Sequence, residues 1–260
     1  MQAEPSIEAT GSTEEYIRLE AVCKSFADKP VLRGVDLAIR RGETMVILGA
    51  SGSGKSVLLR HVNGLYKPDS GRVYVDGEEI SQWGEVRLSE VRKKVGMLFQ
   101  SGALFDSMSV FENVAFPLRE HTDHDEEQVR EQVREKLRLV ELEDVEDLMP
   151  VNLSGGMKKR VALARAIVLE PRGILYDEPT TGLDPVTAKH INRLIRGLQS
   201  RLGVTSVVVT HDIESAFLVG DRVAYLRGGE IRFVGTVEEA RAGNEVTLKH
   251  FLEGVPDDEE

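Results

Sequence analysis

Residues 49 to 56 read Gly49-Ala50-Ser51-Gly52-Ser53-Gly54-Lys55-Ser56, an intact G-x-x-x-x-G-K-[ST] spacing that follows the apolar run Met45-Val46-Ile47-Leu48. Glycines here let main-chain N–H groups wrap an anion closely, because no Cβ stands in the way. Lys55 offers a compact cation to the β- and γ-phosphates of a nucleoside triphosphate, and the Ser56 hydroxyl offers a ligand to Mg²⁺. A helix starting near Gly54 adds unpaired N–H groups and the positive end of its dipole. Further on, Gly173-Ile174-Leu175-Tyr176 runs into Asp177 and Glu178. An acid pair at the end of an apolar strand suits the other half of the reaction. Asp177 is expected to hold Mg²⁺ through water, and Glu178 to orient and deprotonate an attacking water.

Between these segments lies Leu153-Ser154-Gly155-Gly156-Met157, which opens a helical run from Lys158 to Leu169. Ser154 is a good helix cap, but a cap alone leaves the glycine pair unexplained. The pair exposes further N–H groups at a helix start, so Ser154, Gly155 and Gly156 read as a second anion-binding point.

The elements that must position these residues follow from the apolar pattern. Strands are expected at 17–22, 35–39, 44–48, 72–75, 95–99, 173–176, 206–210 and 223–226. The runs at 44–48, 173–176 and 206–210 are continuously apolar, as expected of central parallel strands covered on both faces. Arg227-Gly228-Gly229-Glu230 should turn strand 223–226 into an antiparallel hairpin with 231–234. From His121 to Asp147 there are eleven acids against four Lys or Arg, with Val129, Val133, Leu137 and Val140 at helical spacing. That segment reads as an amphipathic helix with a solvated acidic face. It belongs to a helical lobe, about residues 101–166, inserted into the α/β core.

The 260 residues carry a formal net charge of −11, which argues against nucleic acid or anionic lipid as a partner. No apolar stretch approaches the roughly 18 residues of a membrane span, so direct membrane insertion is not expected. Residues 1–15, with Glu4, Glu8, Glu14 and Glu15 and no Lys or Arg, read as a disordered tail and not as a signal peptide. The end, 256–260, reads as an acidic tail. The single cysteine, Cys23, fits a reducing compartment and reads as a small buried hydrophobe.

Taken in order, these parts resemble the ATP-binding cassette ATPases over residues 16–255. The resemblance implies an α/β P-loop NTPase fold of the ABC ATPase type, with a parallel core sheet, an antiparallel β subdomain and an inserted helical subdomain. It implies ATP and Mg²⁺ as cofactors, with Gly49 to Ser56 and Ser154 to Gly156 on the nucleotide, and Ser56, Gln100 and Asp177 on the metal. Phe26, in Lys24-Ser25-Phe26, matches the aromatic that stacks on adenine. Gly182-Leu183-Asp184-Pro185 matches the D-loop, with Asp184 at the nucleotide interface. His211 matches the switch histidine beside the catalytic Glu178 and Lys55, and Gln100 matches the glutamine that couples the metal to a transmembrane partner.

One departure is Met157, where the family usually has Gln. Met157, the stretch 56–61 and the stretch 102–118 together resemble the ATPases of MCE-domain lipid transporters, among which the Mla phospholipid system is the best known. That likeness implies a head-to-tail homodimer on a transmembrane permease, an MCE-domain protein and, in many systems, a small STAS-domain protein. It also implies a cytoplasmic location, peripheral to the inner membrane. Leu104, Phe105 and Val110 are then candidates for the permease-docking surface. Two alternatives stand beside it: the ATPase of an amino-acid or other small-solute importer, and a mechanical clamp in DNA repair or on the ribosome. The latter usually has long coiled coils or two cassettes in one chain, and this chain has neither.

Overall fold

The computed structural model describes residues 14–243 and 245–255. The expected tails, 1–15 and 256–260, therefore lie outside these residues apart from Glu14 and Glu15, and Glu15 already opens the first strand.

Two sheets share the chain. Strands β1 (Glu15–Phe26), β2 (Lys29–Arg40), β4 (Ser70–Val75) and the short β5 (Glu78–Glu79) form an antiparallel sheet in the order β2-β1-β4-β5. β3 (Thr44–Leu48) leaves that sheet for a second one, which also takes β6 (Val95–Leu98), β7 (Gly173–Asp177), β8 (Thr205–Thr210), β9 (Arg222–Arg227) and β10 (Glu230–Thr236). Its order is β10-β9-β3-β8-β7-β6. The ladders are parallel except for the β9–β10 hairpin, which turns through Gly228-Gly229 as the sequence suggests.

Every residue of β3, β7 and β8 is buried. Successive side chains point to opposite faces. Val46 and Leu48 therefore join one apolar core, and Met45 and Ile47 join the other. This two-sided burial explains why these strands read as unbroken apolar runs.

The helices are α1 (Lys55–Val62), α2 (Glu85–Lys94), α3 (Val110–His121), α4 (Glu126–Leu139), α5 (Gly155–Ile167), α6 (Pro185–Leu202), α7 (Ile213–Val219), α8 (Val237–Ala242) and α9 (Val246–Glu253). α3, α4 and α5 pack on one another through Val114, Leu118, Val129, Val133 and Leu137, among others, on the larger core. Within the acidic segment the amphipathic helix is α4, with Val129, Val133 and Leu137 buried. α4 starts at a capping box of Asp125 and Gln128 and stops at Leu139, and Arg119 at the end of α3 grips Glu126 with two hydrogen bonds of 3.0 and 2.8 Å.

Cys23 differs from expectation. It is half-buried, its Sγ directed at the Ala21 carbonyl at 3.7 Å. β1 is longer than the apolar run 17–22, and its register shifts on either side of Val22. Ala21 in that stretch has a φ of 47°. The register shifts interrupt the regular in-and-out alternation of the strand at this point.

Candidate active site

The strand order brings the chemistry together. β8 lies between β3 and β7, with Leu48 paired to Thr210 and Asp177 to Val209. The C-terminal ends of three neighbouring parallel strands thus deliver the glycine loop, the acid pair and His211 to one edge of the sheet, the side on which open α/β sheets bind ligands.

Leu48 hands over to the loop at Gly49, where a Cβ would lie 2.4 Å from the Leu226 carbonyl oxygen, so only glycine fits. Gly54 caps α1 with a φ of 101° and no side-chain hydrogen bond, leaving the first N–H groups of the helix without a side-chain acceptor. Ser53 Oγ is buried with no hydrogen-bond partner, a donor inside the loop that suits a phosphate oxygen. Lys55, only 5% exposed, donates from Nζ to the Gly49 and Ala50 carbonyls, both at 2.9 Å, and stands 3.6 Å from Glu178 Oε1. Burial pulls its pKa below the usual lysine range, against the opposing attraction of Glu178 and Asp177. A triphosphate entering the loop would add further negative charge beside this ammonium.

Ser56 Oγ donates to Asp177 Oδ1 at 2.6 Å. A hydroxyl from α1 and a buried carboxylate from β7 therefore meet at one point, an all-oxygen pair that fits Mg²⁺, which binds through few protein ligands and keeps waters and phosphate oxygens for the rest. Among the described residues no cluster of three or more His, Cys, Asp or Glu suits a metal, so a dedicated protein cage is not formed there.

Glu178 sits one residue on with a φ of 48°, its N–H bonded to the Val209 carbonyl at 3.0 Å. Its Oε2 is 2.9 Å from His211 Nδ1, accepts from Thr181 Oγ1 at 3.2 Å and lies 3.5 Å from Thr210 Oγ1. A carboxylate fixed by three partners and 8% exposed is aimed, not solvated. The left-handed backbone of a non-glycine residue is strain of the kind that clusters at functional positions.

Lys55, Ser56, Asp177, Glu178 and His211 thus converge. Gln100 joins them by its main chain, its carbonyl accepting from Lys159 Nζ while the residue itself is exposed. Phe26 ends β1 with its ring 40% exposed, edge-on to Tyr66 at 5.2 Å. Tyr66 in turn accepts from Arg60 of α1, whose guanidinium is 4.0 Å from Asp177. Ser154 caps α5 by accepting from Met157 N at 3.3 Å. Asp184 caps α6, accepting from Val186 N, Thr187 N and Thr187 Oγ1 at 3.0, 3.1 and 2.5 Å. Those bonds hold its carboxyl below the usual aspartate range.

The sequence reading missed Thr181, Thr210 and Lys159. The two threonines carry no motif, and Lys159 sits in the run Lys158-Lys159-Arg160, which looks like a solvated basic turn. Of the docking candidates, Val110 is corrected. It is fully buried as the first residue of α3. Phe105 is 42% exposed and packs on Phe116 at 5.2 Å. It helps line a groove of about 480 Å³ with Met97, Phe99, Ala103 and Leu169.

A fold with two glycine-rich helix starts, one acid pair and one histidine at the ends of parallel strands defines a class. The chain belongs to the ABC transporter ATP-binding family, whose model matches residues 32–181, and it is an ATPase subunit of that kind. It is 41% identical over 246 residues to the intermembrane phospholipid transport system ATP-binding protein MlaF of Escherichia coli K12, covering 95% of this chain and 91% of that protein. It is also 41% identical over 238 residues to a probable ribonucleotide transport ATP-binding protein, mkl, of Mycobacterium leprae, covering 92% of this chain and 69% of that one. Among solved structures, the dimeric cassette MJ0796 bound to ADP and Pi aligns with a TM-score of 0.79 at 36% identity, covering 85% of this chain and 98% of that chain.

Proposed function

We propose that this chain powers the movement of phospholipid between the membranes of a cell envelope, as a head-to-tail homodimer seated on a transmembrane permease. The observation that carries the lipid assignment is the 41% identity to MlaF, which runs nearly the full length of both proteins. Met157 at the end of Leu153–Met157, which matches the family's signature loop, and the wording of residues 102–118 support the same reading. The remaining partners are an MCE-domain protein and a small STAS-domain protein, and the location is the cytoplasmic face of the inner membrane. Among the described residues no helix is long and apolar enough to cross a membrane, so attachment is assigned to the permease, through the groove beside Phe105. Nucleic acid is not a partner in this reading.

In the proposed mechanism Phe26 stacks on adenine, and the Gly49–Gly54 main chain and Lys55 hold the phosphates. Ser56, Asp177 and Gln100 would hold Mg²⁺, and the ion would supply neutralisation of the charge that develops on the transferred phosphoryl group. Glu178 takes the proton of the attacking water, and His211, bonded to the same carboxylate, keeps it aimed. Ser154, Gly155 and Gly156 of a second copy close over the γ-phosphate, with Asp184 at the same interface. Hydrolysis reopens the dimer, and the opening is what the permease receives.

Glu178→Gln should bind ATP as the wild type does, form a lasting dimer with it, and lose about 10²- to 10⁴-fold in turnover, the usual loss for a missing general base. Near wild-type turnover would remove Glu178 from that role. For the cargo, the complex captured from detergent-solubilised membranes should contain a permease and an MCE-domain protein. The likeness to mkl favours ribonucleotide as a second reading. A small-solute or nucleotide permease without an MCE-domain protein would replace the lipid assignment.

A further inference from the structure

α5 begins at the signature loop, and one turn into it Lys159 is only 5% exposed. Its ammonium donates to the Gln100 carbonyl and, at 3.4 Å, to the Glu178 carbonyl. No carboxylate of the described residues is paired with it within 4.0 Å. The contrast with Lys136, 3% exposed and paired with Glu135 at 3.0 Å and Glu170 at 2.8 Å, is direct. Lys136 is a buried end of an ordinary ion-pair cluster. Lys159 spends its donors on two main-chain carbonyls that belong to two different motif loops.

A buried ammonium is costly, and a position that needed only filling would be better served by an apolar side chain. Burial does lower the pKa of Lys159, and the field of Asp177 and Glu178 opposes that shift. The bond geometry is specific as well. Glu178 has its N–H tied to β8 through Val209 and its C=O tied to α5 through Lys159, so its left-handed backbone is held from both sides. Six residues along α5, Arg165 donates to the Gly102 carbonyl at 2.9 Å, a second grip on the segment that follows Gln100.

We propose that Lys159 is a positioning residue for ATP hydrolysis, pinning the main chains of Gln100 and Glu178 to the helix that carries the signature loop. Through this lysine the helix that opens at Ser154 is bonded directly to the main chains of Gln100 and Glu178. The inference rests on the roles given above to Gln100 and Glu178. Those roles fail if Glu178→Gln turns over normally, an outcome separate from the behaviour of any Lys159 variant.

The test compares Lys159→Met, which keeps the volume and removes the donors, with Lys159→Gln and Lys159→Arg, which keep some or all of them. Binding of a fluorescent ATP analogue to the isolated subunit, KM and kcat for ATP, and the thermal unfolding midpoint are measured for each. Lys159→Met should bind nucleotide within about twofold of wild type and keep its KM, while kcat falls by about tenfold or more. Lys159→Arg should recover most of that loss, with Lys159→Gln between the two. In the Glu178→Gln background, Lys159→Met should also weaken the ATP-driven dimer. If Lys159→Met does not fold, Lys159→Gln decides by the same split between KM and kcat. An unchanged kcat in the folded neutral variant, with or without a lowered unfolding midpoint, overturns the proposal, as does a kcat loss that Lys159→Arg fails to relieve.

Discussion

Two glycine-rich loops open helices in this chain, and glycine serves a different purpose in each. In the loop before α1, Gly52 and Gly54 adopt φ of 80° and 101°, a conformation that other residues rarely take. The helix start has no side-chain cap, and Lys55 is already folded over the loop. At the start of α5 the two glycines are already helical, neither has a positive φ, and Ser154 caps the helix itself. Gly156 is needed there for another reason. A Cβ would stand 2.6 Å from Thr187 Cγ2, so the signature helix rests directly on the start of α6. Thr187 is the residue whose hydroxyl bonds Asp184. The first loop is shaped to receive a ligand from its own chain's strand ends. The second is braced against the D-loop helix, as suits a loop that is presented to something outside the chain.

That contrast can be tested by damaging each loop separately. Ser154→Arg should leave nucleotide binding to the isolated subunit within about twofold of wild type but cut turnover by about 10²- to 10³-fold, because it removes donors used only when the dimer closes. Lys55→Ala should weaken nucleotide binding itself, by about 10²-fold, through loss of charge-assisted contacts to phosphate. Mixing the two variants places both defects in one composite site and leaves the other whole, so ATPase activity should return in the mixed dimer relative to either homodimer. No recovery would break the comparison, since it would deny that the second loop acts across an interface between independently working sites.

A smaller effect is expected from Gly156→Ala. The added methyl must push Thr187 aside, costing about 1–3 kcal/mol in overpacking, read as a fall in the unfolding midpoint. Turnover should drop with it while nucleotide binding to the subunit persists. If the midpoint is unchanged, the bracing against α6 is not what requires glycine there. The smallest change belongs to Phe26→Ala. Loss of a half-exposed stacking surface should raise KM for ATP by about three- to tenfold at constant kcat, since adenine is held equally before and during phosphoryl transfer. A fall in kcat at unchanged KM would remove Phe26 from the adenine site.

Much of the site was legible because its residues work through short, local geometry. Gly49 to Ser56 carries its own backbone requirements, and Asp177-Glu178 announces itself as charge at the end of an apolar strand. The strands that deliver these residues were legible because burial on both faces leaves continuous apolar runs. What failed was Cys23, read as buried although it sits half-buried beside the irregularity in β1, and Val110, taken as a docking candidate although it is fully buried. The apolar spacing located α4, but the capping box at Asp125 and Gln128 and the end at Leu139 set its limits.

By itself the sequence determined that a triphosphate loop, an acid pair and a second glycine-rich helix start stand in order on an α/β chain, because each is encoded within a few consecutive residues. Only the tertiary structure decided which of them meet. Placing β8 between β3 and β7 brings His211 to the Glu178 carboxylate across 33 residues of chain, and Ser56 to Asp177 across 121. It also decided that one lysine of a basic run, Lys159, turns inward to hold two loop carbonyls while its neighbours Lys158 and Arg160 remain partly exposed. Strand order and side-chain direction depend on the packing of both cores at once, and no local stretch of residues carries that information.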